Sequence, residues 1–108
     1  MEISSGLVII QDNKILLGHP TGQKWFGTYS IPKGVVEGNE THIETAIRET
    51  EEELGIKITE NEIDIDNEGY IDYKNEVDEV YKRVYFYTVE LERKITIDPT
   101  RLQRREID

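Results

Sequence analysis

Apolar and polar residues alternate along much of this chain at the two-residue period typical of β-strands. Alternation or a β-rich composition marks residues 3–11, 14–19, 56–58, 63–73 and 80–92, with shorter extended runs at 28–32 and 93–98. The first two stretches flank Asp12-Asn13, a dipeptide that favours a tight turn. They therefore predict a β-hairpin, and the polar segments 20–27 and 74–79 predict loops.

One stretch instead follows the period of a helix. Thr41, with Glu44 three residues later, forms a capping box that predicts a helix beginning at His42. Gly55 follows as a C-terminal stop. The stripe that should face the core comprises Ile43, Ala46, Ile47, Thr50 and Leu54.

The order of these elements is strands, a long loop, one helix and more strands. This order predicts an α+β fold rather than a regular βαβ alternation. The 108 residues suffice for a single domain with one core, which we expect to span residues 1–108.

The net charge of −10 argues against binding of long nucleic acid through a basic face. It does not argue against a nucleotide substrate, because bound cations can invert the local field. The chain has no cysteine, which excludes disulfides and thiolate metal sites. It also has no long apolar run, so we expect a soluble cytoplasmic protein with no membrane partner.

Three carboxylates of the predicted helix fall on one side of it. Glu49, Glu52 and Glu53 are spaced at i, i+3 and i+4. Clustered like charges cost free energy unless they are compensated, and oxygen ligands suit Mg²⁺ or Mn²⁺. The alternative is a solvated acidic face, which is common on surface helices. Glu40 and Arg48 form a predicted structural ion pair between the preceding loop and the helix.

Residues 34–56, GVVEGNETHIETAIRETEEELGI, resemble the Nudix hydrolase signature Gx5Ex7REUxEExGU, in which U is a bulky apolar residue. Gly34, Glu40, Arg48 and Gly55 occupy the fixed positions of this signature together with the three helix glutamates. Thr50 departs from it, because it stands where the pattern has an apolar residue. The likeness covers nearly the whole chain, but only this segment is highly specific.

The resemblance implies a Nudix-type α/β/α sandwich, in which a mixed sheet lies between helices. Nudix domains usually close with a second helix. Residues 99–108 have helical composition but then the sequence ends, so we expect that helix to be short or missing. A partner subunit, as in a homodimer, is one way to cover the exposed sheet face.

The resemblance also implies a reaction, the hydrolysis of a nucleoside diphosphate linked to a further group X. Water attacks a phosphorus atom of the pyrophosphate, and Mg²⁺ or Mn²⁺ neutralises charge and activates the water. The implied metal ligands are Glu52, Glu53 and the carbonyl of Gly34. Glu49 is either a third ligand or the general base, and both roles occur in the family.

A further acidic residue outside the signature often completes such a site. The candidates are Glu76, Glu79, Glu92 and Glu106. His19 and His42 are candidate bases. None of these six matches a motif, so surface or capping roles are favoured for them.

The substrate class is suggested by two tyrosines. Tyr70 and Tyr73 lie 14 and 17 residues beyond Ile56, near the position where Nudix hydrolases of dinucleoside polyphosphates often carry a tyrosine. Such a ring can stack on a base, although a cross-strand aromatic pair is an equally good interpretation. No proline lies between Lys33 and Asp98, which disfavours the ADP-ribose branch.

Other side chains are candidates for holding the substrate. Lys33 and Lys82 could meet phosphate groups, and Trp25 could close a pocket or cap the core. Nucleoside triphosphates remain an alternative substrate class. The alternatives to an enzyme are a non-catalytic nucleotide-sensing module and an acidic structural domain.

Overall fold

In the computed structural model, residues 1–18, 30–95 and 102–106 are described, the last range by its backbone alone. These residues form a six-stranded sheet and one α-helix. The strands are β1 (Glu2–Gln11), β2 (Lys14–Gly18), β3 (Lys33–Val35), β4 (Ile63–Lys74), β5 (Val80–Glu90) and β6 (Leu102–Glu106). The helix is α1 (His42–Leu54), and a 3₁₀ turn covers Glu60–Glu62.

The sheet is mixed. Its order is β4-β5-β1-β2-β6, and β3 pairs with the first half of β1. The central pair, β1 and β5, is parallel, whereas the other pairs are antiparallel. The prediction of an α+β fold with a mixed sheet is therefore confirmed.

The predicted hairpin of β1 and β2 is present. Asp12 and Asn13 connect the strands with φ angles of 52° and 60°. Two successive left-handed residues are the geometry of a tight hairpin turn whose twist matches that of the strands, and Asp and Asn tolerate it better than most side chains.

Helix α1 begins and ends as its sequence predicts. Thr41 Oγ1 accepts a 3.1 Å hydrogen bond from the N–H of Glu44, whose Oε1 accepts one of 2.9 Å from the N–H of Thr41. At the other end Gly55 adopts a φ of 72° and donates its N–H to the carbonyl of Glu51. The capping box and the glycine stop together satisfy backbone groups that the helix itself leaves unpaired.

The departure from the Nudix signature at Thr50 has a local explanation. Thr50 is fully buried, and its hydroxyl donates a 2.7 Å hydrogen bond to the carbonyl of Ala46 one turn earlier. A buried hydroxyl that is satisfied in this way costs little, so threonine is tolerated in the apolar stripe.

The core lies between α1 and one face of the sheet. Its fully buried members include Leu7 and Ile9 from β1, Val89 from β5, and Ala46 and Leu54 from the helix. Ile43 and Ile47 of the predicted stripe pack against this core while remaining partly exposed. Within the described ranges, no helix is long and apolar enough to cross a membrane.

Some expected elements differ in the structure. Residues 56–58 form no strand. Ile56 and Ile58 are nevertheless buried, so this segment is held by packing of its side chains and not by strand pairing. Residues 33–35, which belong to the long loop expected before the helix, form β3 because they pair with β1. Residues 93–95 are not a strand, and 96–98 lie outside the described residues.

The expectation that the C-terminal helix is short or missing is confirmed for the described residues. Although residues 99–108 have helical composition, Leu102–Glu106 is a strand that pairs antiparallel with β2. A neighbouring strand with unpaired backbone groups offers hydrogen bonds that outweigh a weak local helix preference. Of the extended run expected at 28–32, residues 28 and 29 lie outside the described residues, and Ser30 forms an isolated bridge with Gly18.

Candidate active site

The candidate site lies where the helix crosses β3. Glu49 is buried, with 6% of its surface exposed, and its carboxylate sits directly over Gly34. A Cβ atom at Gly34 would lie 2.2 Å from both Cδ and Oε1 of Glu49. Glycine is therefore needed here for close approach, because any side chain would expel the carboxylate.

A second carboxylate of the helix binds the same strand. Glu53 is also buried, and its Oε2 accepts a 2.8 Å hydrogen bond from the backbone N–H of Lys33. A carboxylate of α1 thus satisfies a donor of β3. Glu49 and Glu53 therefore lie side by side against two successive residues of β3, and the signature helix is held in register with this strand.

Arg48 and Glu40 form the ion pair expected from the sequence. Arg48 Nε lies 2.8 Å from Glu40 Oε2, and Arg48 Nη2 lies 3.0 Å from Glu40 Oε1. The two parallel bonds give the geometry in which arginine binds carboxylates most strongly. Arg48 Nη2 also donates to the carbonyl of Val35, so the guanidinium ties the end of β3 to the helix.

Glu40 is the acceptor around which the loop before the helix folds. Besides Arg48, its Oε1 accepts hydrogen bonds from the N–H of Glu37 and the hydroxyl of Thr45. These donors, Arg48 foremost, lower the pKa of Glu40 from its ordinary 4.5 to about 2. The carboxylate is therefore charged under all ordinary conditions. Sequence reasoning missed Thr45, since a threonine facing a loop carboxylate carries no distinct pattern.

The same arginine also offsets charge within the acidic helix. Arg48 Nη1 lies 2.9 Å from Glu49 Oε1 and 3.3 Å from Glu52 Oε1. The bonds to Glu40 and then to Glu49 raise the pKa of Arg48. Burial raises the pKa of Glu49, and the hydrogen bond from Arg48 opposes that shift. Glu49 is thus a carboxylate in a poorly solvated position with one cationic neighbour.

The donor set of this site suits a hard divalent cation. Glu49 Oε2 is buried and accepts no hydrogen bond, and such an oxygen is costly unless a cation or a donor meets it. Among the described residues, no three acidic or histidine side chains lie close enough together to coordinate one metal ion. Glu49, Glu53 and the neighbouring Glu52 fit a metal ion by the chemistry of their oxygen atoms, which are the ligands that Mg²⁺ and Mn²⁺ prefer.

The two candidate stacking tyrosines lie on opposite faces of the sheet. Tyr70 pairs across the strands with Tyr85, whose ring stacks on His42 of the helix at 4.2 Å between centroids. Tyr73 is three residues further along β4 and pairs with Lys82. Since side chains alternate along a strand, Tyr70 lies on the helix side and Tyr73 on the other.

Tyr70 belongs to a packed cluster. The guanidinium of Arg83 lies 4.2 Å from the Tyr70 ring centroid and binds both carboxylate oxygens of Asp72, at 2.6 and 2.9 Å. Tyr70 is nevertheless 57% exposed. His42 is engaged by Tyr85, so the structure gives this histidine a packing contact as well as its place at the start of the helix.

Tyr73 lies beside the candidate lysines. Lys82 Nζ is 5.8 Å from the Tyr73 ring centroid and forms an ion pair with Glu2 at 3.4 Å. Lys33 pairs with Gly6, which in turn pairs with Phe86, so Lys33 lies on this same face. Burial lowers the pKa of Lys33, and the charge of Lys82 contributes in the same direction.

The remaining candidates are distributed away from these contacts. Glu76 and Glu79 are exposed in the loop between β4 and β5, and Glu92 is exposed after β5. His19 and Trp25 lie outside the described residues, as does the side chain of Glu106.

Known structures share this architecture. A C. elegans Ap4A hydrolase in a binary complex aligns with a TM-score of 0.74 and 22% identity, over 98% of this chain and 80% of that one. A MutT NUDIX hydrolase from Burkholderia pseudomallei gives 0.68 and 23%, over 96% and 81%. A bifunctional NMN adenylyltransferase/ADP ribose pyrophosphatase from Francisella tularensis, complexed with AMP and a Mn ion, gives 0.67 and 19%, over 99% and 31%. No curated protein sequence matches significantly.

The sequence profile and the fold together define a hydrolase that acts on phosphoanhydride bonds. The chain belongs to the Nudix family, because the sequence profile of the NUDIX domain matches residues 2–108. Nudix hydrolases act on nucleoside diphosphate derivatives and generally use divalent metal ions.

Proposed function

We propose that this protein is a Mg²⁺- or Mn²⁺-dependent hydrolase of dinucleoside polyphosphates, with nucleoside triphosphates as the second substrate class. The observation that carries the metal dependence is the buried Glu49 carboxylate over Gly34, with an oxygen that accepts no hydrogen bond. Beside it, Glu53 lies against Lys33, and Arg48 compensates part of the local charge.

In this proposal Glu52, Glu53 and the Gly34 carbonyl hold the metal ion. Glu49 either completes that set or accepts the proton of the attacking water. The bound ion supplies charge neutralisation at the pyrophosphate and lowers the pKa of a water molecule. Arg48 and Glu40 act by placing the helix carboxylates against β3, as their hydrogen bonds to Val35 and Glu37 indicate.

The substrate class rests on the face of the sheet away from α1. Tyr73, Lys82 and Lys33 share that face, and an aromatic ring with two cations nearby suits a base followed by a phosphate chain. Glu53 is bonded to the backbone of Lys33, so the acidic helix and this basic side chain meet at the same short strand. The C. elegans Ap4A hydrolase complex, which shares the fold, gives further support.

A phosphate-release panel tests the proposal. The purified protein is assayed with Mg²⁺ and with Mn²⁺ on diadenosine tetraphosphate, ADP-ribose and nucleoside triphosphates, with Glu53→Gln as the blank. We expect turnover concentrated on diadenosine tetraphosphate and abolished by EDTA. Equal turnover in EDTA would refute the metal requirement. Turnover confined to ADP-ribose, or none at all from folded protein, would refute the substrate class.

A further inference from the structure

Two neighbouring serines of β1 have buried hydroxyls without a hydrogen-bond partner. Ser4 and Ser5 are 1% and 0% exposed, and the Oγ atoms of both are unpaired. Burying a hydroxyl without a partner costs free energy, so each requires an explanation. Glu49 Oε2 is the other buried side-chain atom without a partner in the described part of the chain.

Ser5 and the Glu49 carboxylate meet at Gly34. Ser5 is the direct cross-strand partner of Gly34, and directly opposite residues of paired strands present their side chains on the same face. The Glu49 carboxylate occupies the position where a Gly34 side chain would begin, 2.2 Å from the Cβ site. Because facing Cβ positions are roughly 4.5–5.5 Å apart, the Ser5 side chain and that carboxylate are neighbours on this face, with no direct hydrogen bond between them.

The pairing of Ser5 with β5 also places its side chain on the helix side of the sheet. Ser5 is also paired with Tyr85, which stacks on His42 of the helix, so Ser5 faces α1. Ser4 alternates to the opposite face and points away from the helix. The two serines therefore have the same burial and chemistry, but only Ser5 faces Glu49.

The two oxygens of Glu49 have different surroundings. Oε1 accepts a bond from Arg48 Nη1, whereas Oε2 accepts none. A serine hydroxyl is both a donor and an acceptor and rotates to suit its partner, whereas a carboxylate only accepts. The hydroxyl of Ser5 and Oε2 of Glu49 are therefore complementary groups on one buried face.

We propose that Ser5 is a positioning residue for Glu49: one water bridges the Ser5 hydroxyl and Oε2 of Glu49, two buried atoms that are not bonded to each other directly. This contact and the Arg48 bond hold the carboxylate from two directions. The orientation of Glu49 toward metal or water is then set by β1 as well as by the helix. This inference rests on the proposed function for its catalytic consequence, but the contact itself does not.

The contact is tested first without metal or substrate. Thermal unfolding in EDTA is compared for Ser5→Ala, Glu49→Ala and the double variant, and Ser4→Ala with Glu49→Ala provides the matched control cycle. Coupled residues deviate from additivity, and we expect a deviation of roughly 4 °C in Tm for the Ser5 cycle. The Ser4 cycle should be additive. An additive Ser5 cycle, or equal coupling in both cycles, overturns the proposal.

The catalytic consequence is tested by kinetics. Groups that orient a metal ligand typically contribute roughly 10- to 100-fold to activity, so Ser5→Ala should lower kcat by about tenfold with KM unchanged. Ser5→Cys should recover part of the loss, and Ser4→Ala should stay near the parent. Full kcat in Ser5→Ala overturns the positioning role. If Glu49→Gln itself retains full turnover, the proposed role of Glu49 fails, while the unfolding cycle still decides the contact.

If Ser5→Ala does not fold, a high-resolution crystal structure of the unaltered protein decides the question. One water within hydrogen-bond distance of both Ser5 Oγ and Glu49 Oε2 supports the proposal. A Ser5 hydroxyl bonded only to backbone overturns it.

Discussion

Glu53 Oε2 accepts a 2.8 Å hydrogen bond from the backbone N–H of Lys33, so one side chain serves both the fold and the proposed site. Lys33 immediately precedes the Nudix signature segment and Glu53 lies near its end, so the loop between β3 and α1 separates them along the chain. The bond closes that loop by joining its first strand to the last turn of α1. It also places Glu53 next to Glu49, which rests on the following residue of the strand.

The Glu53→Gln substitution should separate the two roles of this residue. The amide oxygen of glutamine can still accept the Lys33 bond, so we expect Tm to change little. Loss of a charged metal ligand removes several kcal/mol of charge stabilisation, so kcat should fall at least about 100-fold. The measurement pairs steady-state kinetics with thermal unfolding. Full turnover in a folded variant would contradict the assigned role of Glu53.

The Glu52→Gln substitution should leave stability almost unchanged. Glu52 has a side chain that is 49% exposed, with a long contact to Arg48, and such exposed pairs contribute little to stability. Its activity should nevertheless fall by about as much as that of Glu53→Gln, because both are assigned to the metal. Mn²⁺ binding followed by electron paramagnetic resonance should weaken in each variant, and unchanged binding in both would count against the proposed ligand set.

Gly34→Ala should destroy the site by steric conflict. The added methyl group would lie 2.2 Å from the Glu49 carboxylate, so either the helix or the side chain must shift. We expect a loss of about 1–3 kcal/mol in the free energy of unfolding and most of the activity. Gly69→Ala is the matched control, because no atom lies within 4 Å of its Cβ position. Urea unfolding and kcat of both variants provide the comparison, and equal behaviour would argue against close packing at Gly34.

Glu40 should make stability depend on pH under acidic conditions. Its pKa is lowered to about 2 in the folded protein, mainly by Arg48, from an ordinary value of 4.5. A depressed carboxyl pKa gives stability that is complete above the unfolded value and is lost as the pH falls from about 4.5 toward 2. Its side chain is 22% exposed and the ion pair is therefore partly screened by solvent, so we expect a contribution of about 1–2 kcal/mol to the free energy of unfolding.

Urea unfolding at pH 6 and pH 3 measures this dependence. The free energy of unfolding of Glu40→Gln should fall less between these two values than that of the parent protein. Glu51→Gln, which changes an exposed glutamate of α1, is the control and should follow the parent. An identical pH dependence in Glu40→Gln and the parent would show that Glu40 contributes no acid-sensitive stability.

The two tyrosines should separate binding from packing. Tyr73 lies beside Lys82 on the proposed substrate face, so Tyr73→Ala should raise KM for diadenosine tetraphosphate by about tenfold, the value of one base stack. Tyr70 instead packs on Arg83, so Tyr70→Ala should lower Tm and leave KM unchanged. Steady-state kinetics and thermal unfolding distinguish the two effects. A higher KM in Tyr70→Ala together with an unchanged KM in Tyr73→Ala would instead indicate that the substrate binds on the helix side of the sheet.

Local sequence determined the parts of this protein that depend on near neighbours. The capping box at Thr41, the glycine stop at Gly55 and the Asp12-Asn13 turn involve contacts within a few residues, and each occurs as the pattern predicts. The spacing of Glu40, Arg48 and the helix glutamates likewise indicated an ion pair and an acidic helix face. The same spacing indicated the Nudix family, because the family signature lies within one continuous segment of the sequence, and the family profile matches the chain.

Tertiary structure alone decided what depends on strand pairing. The register between β4 and β5 places Tyr70 and Tyr73 on opposite faces, although the sequence presents them as equivalent candidates. Pairing of β1 with β3 brings Ser5 to Gly34, and Leu102–Glu106 became a strand because β2 lay beside it. These contacts join residues far apart in the chain, and their energies depend on which backbone groups and buried faces meet in the folded sheet. A local sequence pattern does not specify which strands pair or in which register, so only the tertiary structure defines the orientation of the proposed site.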